Sequence, residues 1–151
     1  MNIKNIRVRA LIFEGNFLTL IHRIRKDREY YVFPGGGVEE NEGLEEALLR
    51  ECYEELGVKI NIFKPIYELE TEKNIQRFYL CSVTEGIIGK GKGCEYSNCD
   101  SKCEKYIPCK IRLDKISELL LFPLEIRDQF LMDYFKHKNP YNIDFKKIYG
   151  K

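Results

Sequence analysis

Hydrophobic positions along this chain fall into short alternating runs separated by polar turns. Ile6, Val8, Ala10 and Ile12 alternate with Arg7, Arg9 and Leu11, which predicts a strand over residues 6–13. Glu14, Gly15 and Asn16 form a tight-turn signal before a second apolar strand over 17–21, so a hairpin is expected. Residues 22–29 are polar and basic and read as a loop; residues 30–33 are a short aromatic strand stopped by Pro34. Gly35, Gly36 and Gly37 follow as a loop with unusual backbone freedom. The clearest helix covers 42–56, and Gly57 ends it. Further strands are expected at 58–69, 77–83 and 106–113, with a long loop rich in Gly, Cys and charge over 85–105. Pro123 suits the first turn of a closing helix over 124–135. Residues 137–151 show no strong period and read as a tail, either packed on the domain or acting as a lid. This order does not repeat as regular βαβ units. It predicts a mixed-sheet α/β fold with a helix on each side, in one domain over 1–136.

The helix over 42–56 carries the chemistry. On a wheel of ~100° per residue, Leu44, Leu48, Cys52 and Leu56 share one face with Ala47 at its edge. Glu51 and Glu55 lie on the margin of that face, with Glu54 beside them. Carboxylates at i, i+3 and i+4 repel one another, and partial burial raises the cost. A hard divalent cation removes the conflict, since Mg²⁺ takes a few carboxylate oxygens together with waters and substrate phosphates. Arg50 is placed to pair with Glu54 at i, i+4, orienting one carboxylate and leaving the others free. Taken alone, the carboxylates also fit a solvated acidic face, and Glu42, Glu45 and Glu46 fit that description better.

The surrounding residues add a pattern. The stretch GGGVEENEGLEEALLRECYEELGV, residues 35–58, resembles the Nudix box, G-x5-E-x7-R-E-U-x-E-E-x-G-U, where U is a bulky apolar residue. Gly36, Glu42, Arg50, Glu51, Cys52, Glu54, Glu55, Gly57 and Val58 match it, with Cys52 a mild departure, apolar but small. The layout from about residue 6 to residue 135 is similar to a MutT-like Nudix hydrolase domain. The resemblance implies an α/β/α sandwich with a mixed sheet and a loop–helix–loop catalytic motif. It implies Mg²⁺ or Mn²⁺ as cofactor, and hydrolysis of a diphosphate bond in a nucleoside diphosphate linked to another moiety. By position, Glu51, Glu54 and Glu55 are the metal ligands, Arg50 orients a glutamate, Glu42 supports the motif, Gly36 and Gly37 shape the loop, and Gly57 ends the helix. The catalytic base varies among members, so Glu54, Glu55 and a distant loop glutamate all stay open. Glu95 is the leading outside candidate, against an ordinary loop charge; Asp100 and Glu104 are weaker ones.

Substrate contacts are sought nearby. Arg23 directly follows a strand and is the basic-loop residue best placed to meet phosphates, whereas Lys26 and Arg28 read as solvated. Arg7 and Arg9 share one strand face that lines the pocket or faces water. Tyr31, Phe33 and Tyr79 are candidates to stack on a base, with core packing as the competing reading. His22 and His137 are assigned no role. The proline expected downstream of the box in ADP-ribose enzymes is absent, Pro65 being too early; the tyrosine of dinucleoside polyphosphate enzymes is absent, Tyr79 being too late. A nucleoside triphosphate or modified nucleotide is therefore favoured.

Composition narrows the alternatives. The 151 residues are 44% hydrophobic and 32% charged with a formal net charge of +1, as expected of a globular protein and not of a polyanion binder. No nucleic-acid or membrane partner is expected, no apolar run suits a bilayer span or secretory signal, and a cytoplasmic monomer or homodimer is the default. Cys52 and Cys81 read as buried thiols. Cys94, Cys99, Cys103 and Cys109 lack any C-x2-C pair, so reduced thiols are preferred over a zinc clip or loop disulfide. Three competing functions remain: a nucleotide-binding regulatory Nudix domain without turnover, an interaction protein built on the four-cysteine loop, and a nucleic-acid binder.

Overall fold

Strand β1 (Asn5–Glu14) feeds both layers of the molecule. Its alternation sends Val8, Ala10 and Ile12 into one apolar cluster and Leu11 and Phe13 into another. The computed structural model describes residues 5–88 and 105–150. β1 turns at Gly15 into β2 (Phe17–Arg25), followed by β3 (Arg28–Val32), β4 (Gly35–Gly37) and helix α1 (Leu44–Leu56). The antiparallel pair β5 (Lys59–Glu70) and β6 (Asn74–Glu85) comes next, then β7 (Lys105–Arg112), a 3₁₀ segment (Leu113–Glu118), β8 (Leu121–Phe122) and α2 (Leu124–His137). A short 3₁₀ turn (Pro140–Asn142) leads to β9 (Lys146–Tyr149).

The strands order as β8-β3-β2-β1-β6-β5-β9, with β4 on β1 and β7 on β2. β1–β6, β3–β8 and β5–β9 are parallel and the other pairs antiparallel, so the sheet is mixed as expected. The α1 side buries Val8, Ile12, Leu48, Cys52, Leu56 and Cys81; the α2 side buries Leu11, Phe33, Tyr67, Phe78, Ile126 and Phe130. These are the two helix layers of an α/β/α sandwich.

Four local expectations are corrected. Residues 22–25 are strand, not loop: β2 pairs with β3 through Ile21–Arg25 and with β7 along its other edge. The turn is only Lys26 and Asp27, with Lys26 at φ 44°. Arg23 is held there by aromatic partners, its guanidinium 4.3 Å from the Tyr106 ring centroid and 5.4 Å from that of Tyr30. The three glycines form strand β4 against β1, because a backbone without Cβ atoms fits there: a Cβ on Gly35 would meet the Val8 carbonyl oxygen at 1.9 Å. Strand β6 begins at Asn74 and not 77, extended by its parallel register with β1. The chain end carries a strand, β9, whose pairing with β5 no local period announces.

Among the described residues no helix is long and apolar enough to cross a membrane. Cys52 and Cys81 are buried free thiols, pushed up by burial. Cys109 sits on β7, half-buried, 3.6 Å from the Leu20 carbonyl oxygen, its thiol pushed up to about 11 by burial. Cys94, Cys99 and Cys103, with Glu95, Asp100 and Glu104, lie outside the described residues.

Candidate active site

Helix α1 begins where Gly43 leaves the extended backbone, two residues later than its periodicity suggests. The Glu46 carboxylate accepts from the Gly43 N–H at 3.2 Å, which satisfies one of the first-turn donors. The helix ends at Gly57, whose φ of 70° suits glycine and whose N–H donates to the Tyr53 carbonyl. Between those caps, Leu48, Cys52 and Leu56 are fully buried, which turns the margin carrying Glu51 and Glu55 toward the glycine strand.

Arg50 is the hub of this margin. It grips Glu42 through two hydrogen bonds, Nε to Oε2 at 2.7 Å and Nη2 to Oε1 at 2.9 Å. It also reaches Glu51 at 3.1 Å, Glu54 at 3.4 Å and the Gly37 carbonyl at 3.2 Å. The pairing is thus wider than an i, i+4 bond to Glu54 alone. The Arg50 guanidinium, aided by the Glu39 N–H, draws the Glu42 carboxyl down to about 2. Glu42 therefore serves as the fixed anion that holds Arg50.

Glu51 and Glu55 are treated differently. Burial raises Glu51 above its ordinary value although Arg50 pulls the other way. Burial pushes Glu55 up to about 7, opposed by the Gly35 N–H, which donates to Oε1 at 2.8 Å, and by Arg9. A Cβ on Gly36 would lie 2.4 Å from Glu51 Oε1, so glycine lets that carboxylate press against the strand. Gly37 has open space at its Cβ position and contributes its carbonyl instead. Glu54 is 57% exposed and turned to Arg50.

Among the described residues no three His, Cys, Asp or Glu side chains meet at one point. The donor set nevertheless fits a hard cation: all oxygen, with Glu51 and Glu55 withdrawn from water, Glu51 meeting only Arg50 and Glu55 no cation in contact among the described residues. Glu54 would have to turn from Arg50 to join them.

The expected substrate contacts divide. Arg9 is half-buried and donates to Gln76 Oε1 and the Phe33 carbonyl, each at 3.2 Å, on the strand that pairs with Gly35. Arg23 hydrogen-bonds the Tyr106 hydroxyl. Phe33 is corrected: its ring is 1% exposed and edge-on to Phe78 at 5.4 Å, so it offers no face to a base and only its carbonyl reaches Arg9. Tyr79 is likewise buried, and Tyr31 stacks on His22 at 4.4 Å. Sequence reasoning passed over Gln76. Its signal is the alternation with Phe78 and Leu80, which puts all three on one face of β6, but the match to Arg9 needs the β1–β6 register.

A family model described as the NUDIX domain matches residues 4–102. A search of curated proteins finds no match. Among solved structures, the chain is similar to a Nudix hydrolase from Nitrosomonas europaea (15% identity, 99% of this chain and 80% of that one, TM-score 0.75). It is also similar to a MutT protein from Methanosarcina mazei Go1 (21%, 90% and 96%, 0.60) and to an ADP-ribose pyrophosphatase from Streptococcus suis (14%, 98% and 100%, 0.61). At these identities the likeness is one of fold.

Proposed function

We propose that this chain, which belongs to the Nudix family of pyrophosphohydrolases, is a divalent-metal-dependent enzyme that cleaves a nucleoside triphosphate or modified nucleotide at its diphosphate. The observation that carries the reading is the pair Glu51 and Glu55, half-buried and held against the glycine strand, Glu51 where Gly36 leaves room for its carboxylate and Glu55 on the Gly35 N–H. We assign Glu51, Glu54 and Glu55 to Mg²⁺ or Mn²⁺. When bound, the cation supplies neutralisation of phosphate charge and a more acidic water.

The chain's own groups do the rest. Arg50, anchored by Glu42, orients Glu51. The Gly35 N–H occupies Glu55 Oε1, which leaves Oε2 to take a proton. With one oxygen held and the other open, Glu55 is the base we favour within the described residues. Glu95, outside them, keeps its candidacy. Arg9, from β1, and Arg23, from β2, supply positive charge to the phosphates. The setting we infer is a cytoplasmic monomer or homodimer.

The test is a panel of nucleoside triphosphates, modified nucleotides, nucleotide sugars, dinucleotides and ADP-ribose with purified protein and Mg²⁺, followed by chromatography of the nucleotide products. Turnover of a triphosphate or modified nucleotide that stops on chelation is expected. Binding without turnover across the panel would instead identify a regulatory domain.

A further inference from the structure

Arg7 and Arg9 stand two residues apart on β1, so their side chains leave the same face of the strand. That face is opposite α1, because Val8, Ala10 and Ile12 pack beneath the helix. The register sets Arg7 between Gly37 and Gln76, and Arg9 between Gly35 and Phe78. Both arginines are half-buried. Arg9 is bonded to neutral acceptors, Gln76 Oε1 and the Phe33 carbonyl. The buried Nε of Arg7 has no hydrogen-bond partner among the described residues.

Other arginines of this protein have carboxylates at hand. Arg50 has Glu42 at 2.7 Å, Arg112 has Asp114 at 2.8 Å, and Arg127 has Asp128 at 2.9 Å. Arg7 and Arg9 make no such pair among the described residues; Glu55 and Glu51 reach Arg9 only through longer-range attraction. Burial, with the Arg7 charge beside it, brings Arg9 down to about 10, so it is still charged at neutral pH. Two guanidiniums withdrawn from water without a counter-ion carry both desolvation and repulsion costs. One anion placed between them relieves both, and a phosphate offers the several acceptor oxygens that guanidinium forks fit.

The space beside them is suited to a substrate. Arg9 also borders a cleft of about 310 Å³ whose wall includes Thr71, Lys73, Asn74, Gln76, Phe122 and Glu125. That volume is at the lower end for small-molecule sites. Arg9 thus stands between this cleft and the carboxylates of α1.

We propose that Arg7 and Arg9 form a phosphate subsite across the glycine strand from Glu51 and Glu55, with the cleft beside Arg9 seating the organic group attached to that phosphate. The proposal deepens the hydrolase reading by naming what holds the substrate, but anion capture by the pair does not depend on turnover.

The experiment is calorimetric titration of the full chain with inorganic pyrophosphate in EDTA. Wild type binds, Arg7→Gln and Arg9→Gln each bind ~10-fold or more weakly, and the exposed control Arg112→Gln binds as wild type does. Circular dichroism confirms that each variant is folded, and Arg7→Lys recovers part of the affinity because it restores charge without the fork. With Mg²⁺ and the substrate found by the panel, the loss of kcat/KM in Arg7→Gln is carried mainly by KM. Failure of wild type to bind pyrophosphate, or equal binding by a folded Arg7→Gln/Arg9→Gln double variant, overturns the subsite. Weakened pyrophosphate binding in the variants with no turnover in the panel sustains the subsite and overturns the hydrolase reading alone.

Discussion

Two carboxylates withdrawn from water on opposite faces of the sheet make an instructive contrast. Asp133, on α2, is 5% exposed. Burial pushes it up, but three donors more than offset this: Lys146 at 2.8 Å, the Tyr67 hydroxyl at 2.6 Å and Gln129 at 3.2 Å. The net effect is a carboxyl below its ordinary value, while the Tyr67 phenol is pushed up. Glu55, on α1, has one N–H at 2.8 Å and, among the described residues, no cation closer than the long-range influence of Arg9, so burial wins and lifts it to about 7. A carboxylate whose donors are complete holds a structure together. One whose donors are incomplete is available for a cation or a proton. Asp133 ties α2 to β5 and to β9; Glu55 faces the glycine strand, where substrate chemistry is expected.

Removing the under-compensated carboxylate should have the largest effect. Glu55→Gln keeps the volume and an acceptor for the Gly35 N–H, so the fold should persist with unchanged circular dichroism. Turnover with Mg²⁺ should fall ~10²-fold or more, whether Glu55 acts as base or as ligand. Near-normal turnover in this variant would remove Glu55 from the chemistry and leave the contrast with Asp133 without functional content.

The complementary change reads out in stability, not turnover. Asp133→Asn keeps the shape but replaces a charge-assisted set of hydrogen bonds with weaker ones and leaves Lys146 without its nearest carboxylate. A loss of about 2 kcal/mol is expected, near the middle of the range for such bonds. In a chain of this size that lowers Tm by roughly 4–8 °C. At a temperature where the variant is folded, kcat should match wild type. A fall in kcat without a fall in Tm would give Asp133 a part in catalysis and erase the distinction.

The two regions also differ in how far sequence exposes them. The glutamate helix is legible because its signals are local: apolar residues at helical spacing, Gly57 at its end, and Arg50 and Glu42 at fixed intervals. Even its error is local, since Glu42 leaves the helix to bind Arg50. The Asp133 cluster joins residues from α2, β5 and β9, with Tyr67 separated from Asp133 by 66 positions, and no period marks such a contact. Arg9 and Gln76, 67 positions apart, meet only through the parallel β1–β6 register. Arg23 reads as loop because charges at 23, 25, 26 and 28 dominate the local pattern. Its strand depends on β7 and β3, and its side chain on Tyr106 and Tyr30. Phe33 is misread for the converse reason: an aromatic next to a glycine-rich segment carries no mark of the face its ring will take.

The smallest effect is a pH dependence that belongs to Asp133 alone. Its folded-state value lies below that of the unfolded chain, which for aspartate is about 3.9. The folded form therefore binds the proton less readily, and the stability Asp133 contributes is fully present above that unfolded value. It is lost as pH falls through the lower folded value, when protonation weakens the bonds from Lys146, Tyr67 and Gln129. Other carboxylates also titrate in this range, so the wild-type curve alone does not isolate the effect. The gap in Tm between wild type and Asp133→Asn does. It should be constant from neutral pH down to about 5, then narrow below about 4. Thermal melts of both proteins from pH 7 to pH 2 measure it. A gap that stays constant to the lowest pH would mean that the Asp133 charge adds nothing, and that its cluster is held by shape and neutral hydrogen bonds instead.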